Sequence, residues 1–415
     1  MTASSNRLQY MAYGLLGMPL AMATLPVYVH IPAYYAMNLD VGLATLGWVL
    51  FSARLFDTAQ DPFWGWWIDR LDNKVMPLLI GAAMIFALAF AGLWSPPAAL
   101  GSPVAWLAVM LALTYSAHSF INICYLAWGA SLSGNTQALL SATAWREGAS
   151  LAGIMLASAV PAAVMANGVD AIAPGMGIYN LFFALLLAGA LYALLQFAPA
   201  WRNGELATPR FFESAKALAK NRRFVSLLMP YFLNAVAMSL PATLALFYIR
   251  DQLNSPAWAS AFLLSYFASA VCGLPFWTKL ASQTGPARCW CLGMSMAVLS
   301  FCGAAQLGAG DRWPYFAVCI AAGFSLGADL AMPSVLFART LQDGEGSAAY
   351  FGIYTLLSKL ALACTGLALP LLTYAGYQPG AGPSTPLVAL YAGLPCVIKL
   401  LVISLMWRFD EKDFE

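Results

Sequence analysis

Apolar residues run in blocks of about 20 or more along nearly the whole chain, each long enough to cross about 30 Å of hydrocarbon as a helix. The blocks predict about twelve helices, over 10–35, 41–67, 75–95, 103–130, 138–166, 176–199, 223–249, 258–282, 287–308, 313–338, 349–375 and 386–408. Turn-rich links such as SPPAALGSP (95–103) and YQPGAGPSTP (377–386) part them. No stretch between the blocks is long or polar enough to fold as a soluble domain.

Composition agrees with that pattern. The 415 residues are 61% hydrophobic and 9% charged, with a mean hydropathy of +0.72, whereas a soluble domain carries about 25% charge. The chain is therefore read as an all-α, multi-pass integral membrane protein. Its start, MTASSNRLQY, lacks the short apolar core and small-residue cleavage site of a signal peptide, so the first span is expected to stay. The eight cysteines fall in or beside apolar segments without a CxxC pair, and His30 and His118 sit in separate spans. Small buried hydrophobes are expected from the cysteines, with no structural metal and no cofactor. A net charge of +2 points to no nucleic-acid partner.

The distribution of charge is more telling. With both termini in the cytoplasm, Arg7, Arg70, Lys74, the basic residues of 202–223, Lys279, Arg288, Arg339, Arg408 and Lys412 share that side, and only Arg250 and Arg312 fall opposite. Such a positive-inside bias fixes the orientation and requires an even number of spans, in a plasma or inner membrane. The link WRNGELATPRFFESAKALAKNRRF (201–224) is expected to lie on that surface as an amphipathic helix, or else as a plain solvated tether. It divides the chain into an N-terminal bundle (1–200), a linker (201–222) and a C-terminal bundle (223–415), each bundle with six spans. Pro62-Phe63-Trp64 is answered by Pro275-Phe276-Trp277 in the second helix of the other half, as a parallel repeat predicts. Where the first half carries Asp57 and Asp61, the second has Ala270 and Leu274.

At membrane depth remain Arg54, Arg146, Lys359 and Lys399 against Asp57, Asp61, Glu147 and Asp329. Facing lipid, each would cost about 2.5–3.5 kcal/mol, so they are expected to face a polar pathway or one another. Arg54, Asp57 and Asp61 stand at i, i+3 and i+7 on one helical face. Two carboxylates one turn apart in a poorly solvated site cannot both be ionised cheaply, so a proton or a bound cation must neutralise them. The alternative is an Arg54–Asp57 pair that merely locks helices. Asp329 is expected to pair with Lys359 or Lys399, unless Lys399 snorkels out of its helix.

Past the carboxylates, Gly65-x-x-x-Asp69-Arg70-x-Asp72-Asn73-Lys74 reads as a loop in which glycine permits close helix approach and Asp69 caps a neighbouring helix end, a latch. Its spacing resembles the loop motif of the major facilitator superfamily. Arg54-x-x-Asp57-x-x-x-Asp61-Pro62-x-x-Gly65 resembles the signature of the glycoside–pentoside–hexuronide:cation symporters, the melibiose permease family. Ser119-Phe-Ile-Asn122-Ile-Cys-Tyr125-x-Ala-Trp128, Arg146 with Ser150-Leu-Ala-Gly153, and Lys359 ahead of Leu371-Leu-Thr-Tyr-Ala-Gly376-Tyr377 are similar to further stretches of that family.

The resemblance implies a major facilitator fold and a symporter of a small polar solute that works by alternating access. It implies cation ligation by Asp57, Asp61 and Ser119 and by the amide oxygen of Gln60, which stands on a longer arm where sodium-coupled relatives often have Asn, so the coupling ion is left as sodium or a proton. Arg54, Arg146 and Lys359 would be charge partners, and Asn122, Tyr125, Trp128, Arg146 and Lys359 would surround the solute; Tyr28 and His30 are further candidates from the first helix. Arg339 stands where family members carry acids, and helix 1 lacks the sugar-binding Asp of melibiose permease. The expected partners are a small molecule, the coupling cation and lipid, with a functional monomer. An amphiphile carrier such as a lysophospholipid transporter is the alternative on the same fold. A membrane-embedded lipid-modifying enzyme is remote, since HExxH and P-loop motifs are missing.

Overall fold

A computed structural model describes residues 3–31, 43–71, 74–97, 102–131, 136–166, 169–199, 218–341, 347–365, 367–377 and 382–407, with Tyr34, Tyr35, Leu39, Val41, Trp201 and Lys216 between them. The described residues are almost wholly helical. A helix closes all its backbone hydrogen bonds within one segment, which is the condition for crossing hydrocarbon. Among them, nine helices are long and apolar enough to span a membrane.

The chain forms two compact units, residues 1–214 with 342–355 and residues 215–341 with 356–415. The first contains α1 (Ala3–Gly14), α2 (Gly17–Leu25), α3 (Leu43–Ile68), α4 (Val75–Leu93), α5 (Pro103–Ser131), α6 (Thr136–Ala166) and α7 (Val169–Phe197). The second contains α8 (Arg222–Phe247), α9 (Ala259–Thr284), α10 (Pro286–Ala304), α11 (Arg312–Arg339), α13 (Ala368–Tyr374), α14 (Thr385–Val388) and α15 (Leu394–Met406). The helix between α11 and α13, α12 (Ser347–Thr365), begins in the first unit and ends in the second. This departs from the expected division, in which all of 223–415 lay in one bundle. The first turns of α12 belong with unit 1 because they pack on α3, where Ala348 meets Gly65 and Gly352 meets Asp61.

Three predicted spans differ from the observed helices. The first, expected unbroken over 10–35, starts at Ala3, breaks at Leu15–Leu16 and carries a π-turn over Pro26–His30. Gly14 and Gly17, flanking the break, lie against the backbone of Trp145 and Arg146 on α6, an approach that a Cβ would block. The eleventh span is interrupted after Thr365, and the twelfth carries a π-turn over Ala389–Gly393. The cationic linker lies almost wholly outside the described residues. Of the cysteines, Cys124, Cys289, Cys319 and Cys396 are buried as expected, whereas Cys272 and Cys302 are exposed on helix surfaces.

Within each unit the packing repeats. In unit 1, α4 and α3 both pack on α5, and α4 also meets α7; in unit 2, α10 and α9 both pack on α11, and α10 also meets α15. The Pro-Phe-Trp echo is part of this repeat: Trp64 of α3 packs on Phe120 of α5 with ring centroids 5.5 Å apart, and Trp277 of α9 packs on Phe324 of α11, also at 5.5 Å. The first helix of each half carries a π-turn, Pro26–His30 and Tyr248–Gln252. Large apolar side chains such as Leu88, Ile178 and Leu299 point outward, where lipid rather than water is the neighbour a spanning helix requires.

Candidate functional site

α3 carries the charges, and its neighbour α5 decides what they do. Asp57 and Asp61 are buried, Asp61 with 0% of its surface exposed. Arg54, expected beside them, has its side chain exposed. One helical turn separates its backbone from Asp57. Ser119 of α5 donates its hydroxyl to Asp57 Oδ1 at 2.9 Å. Gly352, in the first turns of α12, packs on the Asp61 backbone carbonyl so closely that a Cβ there would approach it to 2.7 Å.

Gln60 completes the arrangement, in an unexpected sense. Its Oε1 accepts from Trp64 Nε1 at 2.9 Å and from the Ser116 hydroxyl at 2.9 Å, and its Nε2 donates to Asp57 Oδ1 at 3.4 Å. An indole N–H only donates, so the amide oxygen must face Trp64 and the amide nitrogen must face Asp57. Gln60, expected as an oxygen ligand, meets the carboxylate as a donor. Ser116 and Trp64 escaped the sequence reading. The signal was there in spacing alone: Ser116 stands three residues before Ser119, and Trp64 four after Gln60.

The corresponding place in unit 2 is closed by packing. Ala270 stands where Asp57 does, and Gly323 and Gly327 of α11 bring their helix against the carbonyls of Tyr266 and Ala270. At these matching positions the carboxylates are confined to α3.

Beyond Asp61 the helix ends at the loop motif. Asp69 accepts from the backbone N–H of Ala348 at 3.0 Å (Oδ1) and of Ala349 at 2.8 Å (Oδ2), capping the N-terminus of α12. Gly65 permits this approach, for a Cβ there would sit 2.4 Å from the Ala348 carbonyl oxygen. Arg70 folds over the Trp66 ring, 3.8 Å from its centroid, and Lys74 is exposed. Burial pushes the Asp69 carboxyl up to about 7, although the two N–H donors act in the other direction.

The sign of the resulting pH dependence follows. If the contact opens, Asp69 returns to a solvated value near 3.8. The closed contact thus binds a proton more tightly than the open one, and it weakens as pH rises from 3.8 towards about 7, with no further change above. Amide exchange at Ala348 and Ala349, corrected for its intrinsic pH dependence, is expected to become less protected across that window in the native chain. In Asp69→Asn the dependence should vanish; if it persists, the titrating group lies elsewhere.

The expected solute residues separate into packing and unassigned groups. Tyr125 is buried, with its hydroxyl donating to the Tyr13 and Gly14 carbonyls at 2.9 and 3.0 Å, while Tyr13 donates back to the Tyr125 carbonyl. Trp128 donates to the Pro199 carbonyl at 2.8 Å and lies against the Trp201 ring. The polar group of each is bonded to a backbone carbonyl. Arg146 is buried and pairs with its neighbour Glu147 at 2.6 Å. His30 is buried, His118 packs on Phe86, and Asn122 and Lys359 are half-buried. The Tyr28 side chain lies outside the described residues.

Unit 2 holds its own buried polar cluster. Lys399 of α15 donates to Asp329 Oδ2 at 2.7 Å and to Asn234 Oδ1 at 2.8 Å, and Asp329 Oδ1 accepts from Asn234 at 3.1 Å and from the Trp290 indole at 3.0 Å. Lys399 therefore does not snorkel. Asn234 and Trp290 were not foreseen, although Asn234 is the one amide within the apolar run VSLLMPYFLNAVAM.

Two repeated helical units, buried carboxylates on the second helix of one of them and a capped loop after it define a membrane transporter of the major facilitator type. Residues 10–412 match the family of MFS/sugar transport proteins, and the chain belongs to that family. None of the curated proteins matches it. Solved structures similar in fold include the Escherichia coli fucose:proton symporter, at 13% identity and a TM-score of 0.72, covering 98% of each chain. A proton:xylose symporter is similar at 14% identity and a TM-score of 0.67, over 98% of this chain and 95% of the other. A bacterial homologue of the iron transporter ferroportin is similar at 13% identity and a TM-score of 0.70, over 97% and 98%.

Proposed function

We propose that the protein is a cation-coupled symporter of a sugar-like or other small polar organic solute, of the melibiose permease kind, with Asp57, Asp61 and Ser119 as the coupling site. The observation that carries this reading is the pair of buried carboxylates one turn apart, one of them bonded to the Ser119 hydroxyl at 2.9 Å. Their negative charge in a poorly solvated place calls for a neutralising ion on each cycle. Unit 2 carries Ala270 and Leu274 at the matching positions, so neutralisation takes place on one half alone. Family membership supports solute transport, and two proteins of similar fold bear the names of proton symporters for fucose and xylose. Both termini are assigned to the cytoplasm from the distribution of Lys and Arg.

The solute is expected to be a small polar organic molecule, as membership of the family of MFS/sugar transport proteins suggests. Uptake of labelled fucose, xylose and melibiose into proteoliposomes, under an imposed proton or sodium gradient, tests the reading. The native chain should accumulate a member of such a panel. Asp57→Asn should reduce accumulation to equilibration, and gradient-driven accumulation that survives in Asp57→Asn would overturn the assignment.

A further inference from the structure

We propose that Trp64 and Ser116 are positioning residues that make the coupling site refuse sodium and accept only a proton, through the orientation they impose on Gln60. The inference rests on the coupling role assigned above to Asp57.

Sodium is a hard cation and needs several oxygen ligands converging on one point. Around Asp57 the structure supplies the carboxylates of Asp57 and Asp61, the Ser119 hydroxyl and one amide, that of Gln60. The amide is turned the wrong way. Its oxygen is held by the indole of Trp64 and the hydroxyl of Ser116, each at 2.9 Å, and its nitrogen is 3.4 Å from Asp57 Oδ1. The positive end of the amide thus faces Asp57 Oδ1, where a sodium ligand would have to present oxygen. To offer its oxygen, Gln60 would have to flip, leaving Trp64 facing an NH2 group that cannot accept its proton. A lost buried acceptor of this kind weakens sodium binding by about tenfold or more.

A proton needs no such shell. It moves from water onto a carboxylate oxygen of Asp57 or Asp61 and returns to water on release. The bonds from Ser119 and Gln60, both made to Oδ1, ask for no further oxygen ligand when a proton neutralises the charge. Titratable groups carried by the helices packed there are Arg54, Asp57 and Asp61 on α3, Tyr115 and His118 on α5, and Tyr350 and Tyr354 in the first turns of α12.

Equilibrium binding of radioactive sodium to the purified full chain tests the proposal. The native chain should show no saturable binding. Trp64→Phe combined with Ser116→Ala frees the amide oxygen, and this variant should gain saturable sodium binding that is lost again when Asp57→Asn is added. Gln60→Glu keeps an acceptor for Trp64 and Ser116 and puts an oxygen in place of the nitrogen. It should gain sodium binding with the native packing intact, which covers the case of a double variant that fails to fold. Saturable sodium binding by the native chain, or none by folded Gln60→Glu, overturns the proposal. Because these readouts need no solute, they stand apart from the accumulation assay: loss of accumulation in Asp57→Asn with no gain of sodium binding in Gln60→Glu would reject the selectivity device and retain the coupling site.

Discussion

Lys399→Ala is expected to destabilise the second unit by about 3–5 kcal/mol, the cost of leaving a buried charge without its partner. Lys399 and Asp329 are 2% and 3% exposed at the side chain and 2.7 Å apart. Asn234 and Trp290 satisfy the remaining polar atoms, so the cluster joins four helices, α8, α10, α11 and α15. Removing the ammonium leaves the buried Asp329 with two neutral donors and without its opposite charge. Replacing both members of the pair by leucine removes both charges at once and is expected to cost much less, since a buried ion pair gains little over well-packed hydrophobes of similar volume. Thermal unfolding of the single and double variants in one detergent decides the matter. A double variant as unstable as Lys399→Ala would mean that the cluster's shape, not its charge balance, holds these helices.

That cluster also marks where reading from sequence alone stops. The cost of charge in lipid identified Asp57, Asp61, Asp329 and Lys399 as residues needing partners, because a buried charge is a demand visible in one dimension. Which partner meets it depends on helix packing, and the bond from Lys399 to Asp329 crosses 70 residues. The same division holds at Gln60. Its presence beside the carboxylates was legible, but its orientation is set by an indole on the same helix and a hydroxyl 56 residues away on α5. Spans were legible because hydrocarbon thickness fixes their length. The break in the first span was not, since Leu15 and Leu16 are as apolar as any spanning residue. It follows instead from Gly14 and Gly17 meeting the α6 backbone. Tyr125 and Trp128 show the opposite limit. Their polar tips suit a solute as well as a backbone carbonyl, and only the fold shows carbonyls of Tyr13 and Pro199 already there.

Gly65→Ala carries the second large expected effect, and it acts on the latch without touching a charge. The added methyl would lie 2.4 Å from the Ala348 carbonyl oxygen and 3.0 Å from the Ala349 Cα. Both are backbone atoms of α12, so no side-chain rotation relieves the contact, and α3 and the start of α12 must move apart. Overpacking of this kind costs about 1–3 kcal/mol. Separation lengthens the bonds from Ala348 and Ala349 to Asp69, which measure 3.0 and 2.8 Å, and the cap weakens together with the packing. Gly352→Ala offers the comparison, since its methyl would meet the Asp61 carbonyl at 2.7 Å, one turn farther from the cap and nearer the carboxylates. If the latch and the coupling site are separate devices on α3, exchange at the Ala348 and Ala349 amides should rise more in Gly65→Ala, and gradient-driven accumulation should fall more in Gly352→Ala. Equal responses in both assays would show that α3 and the first turns of α12 move as one rigid element, with the cap and the carboxylates coupled through it.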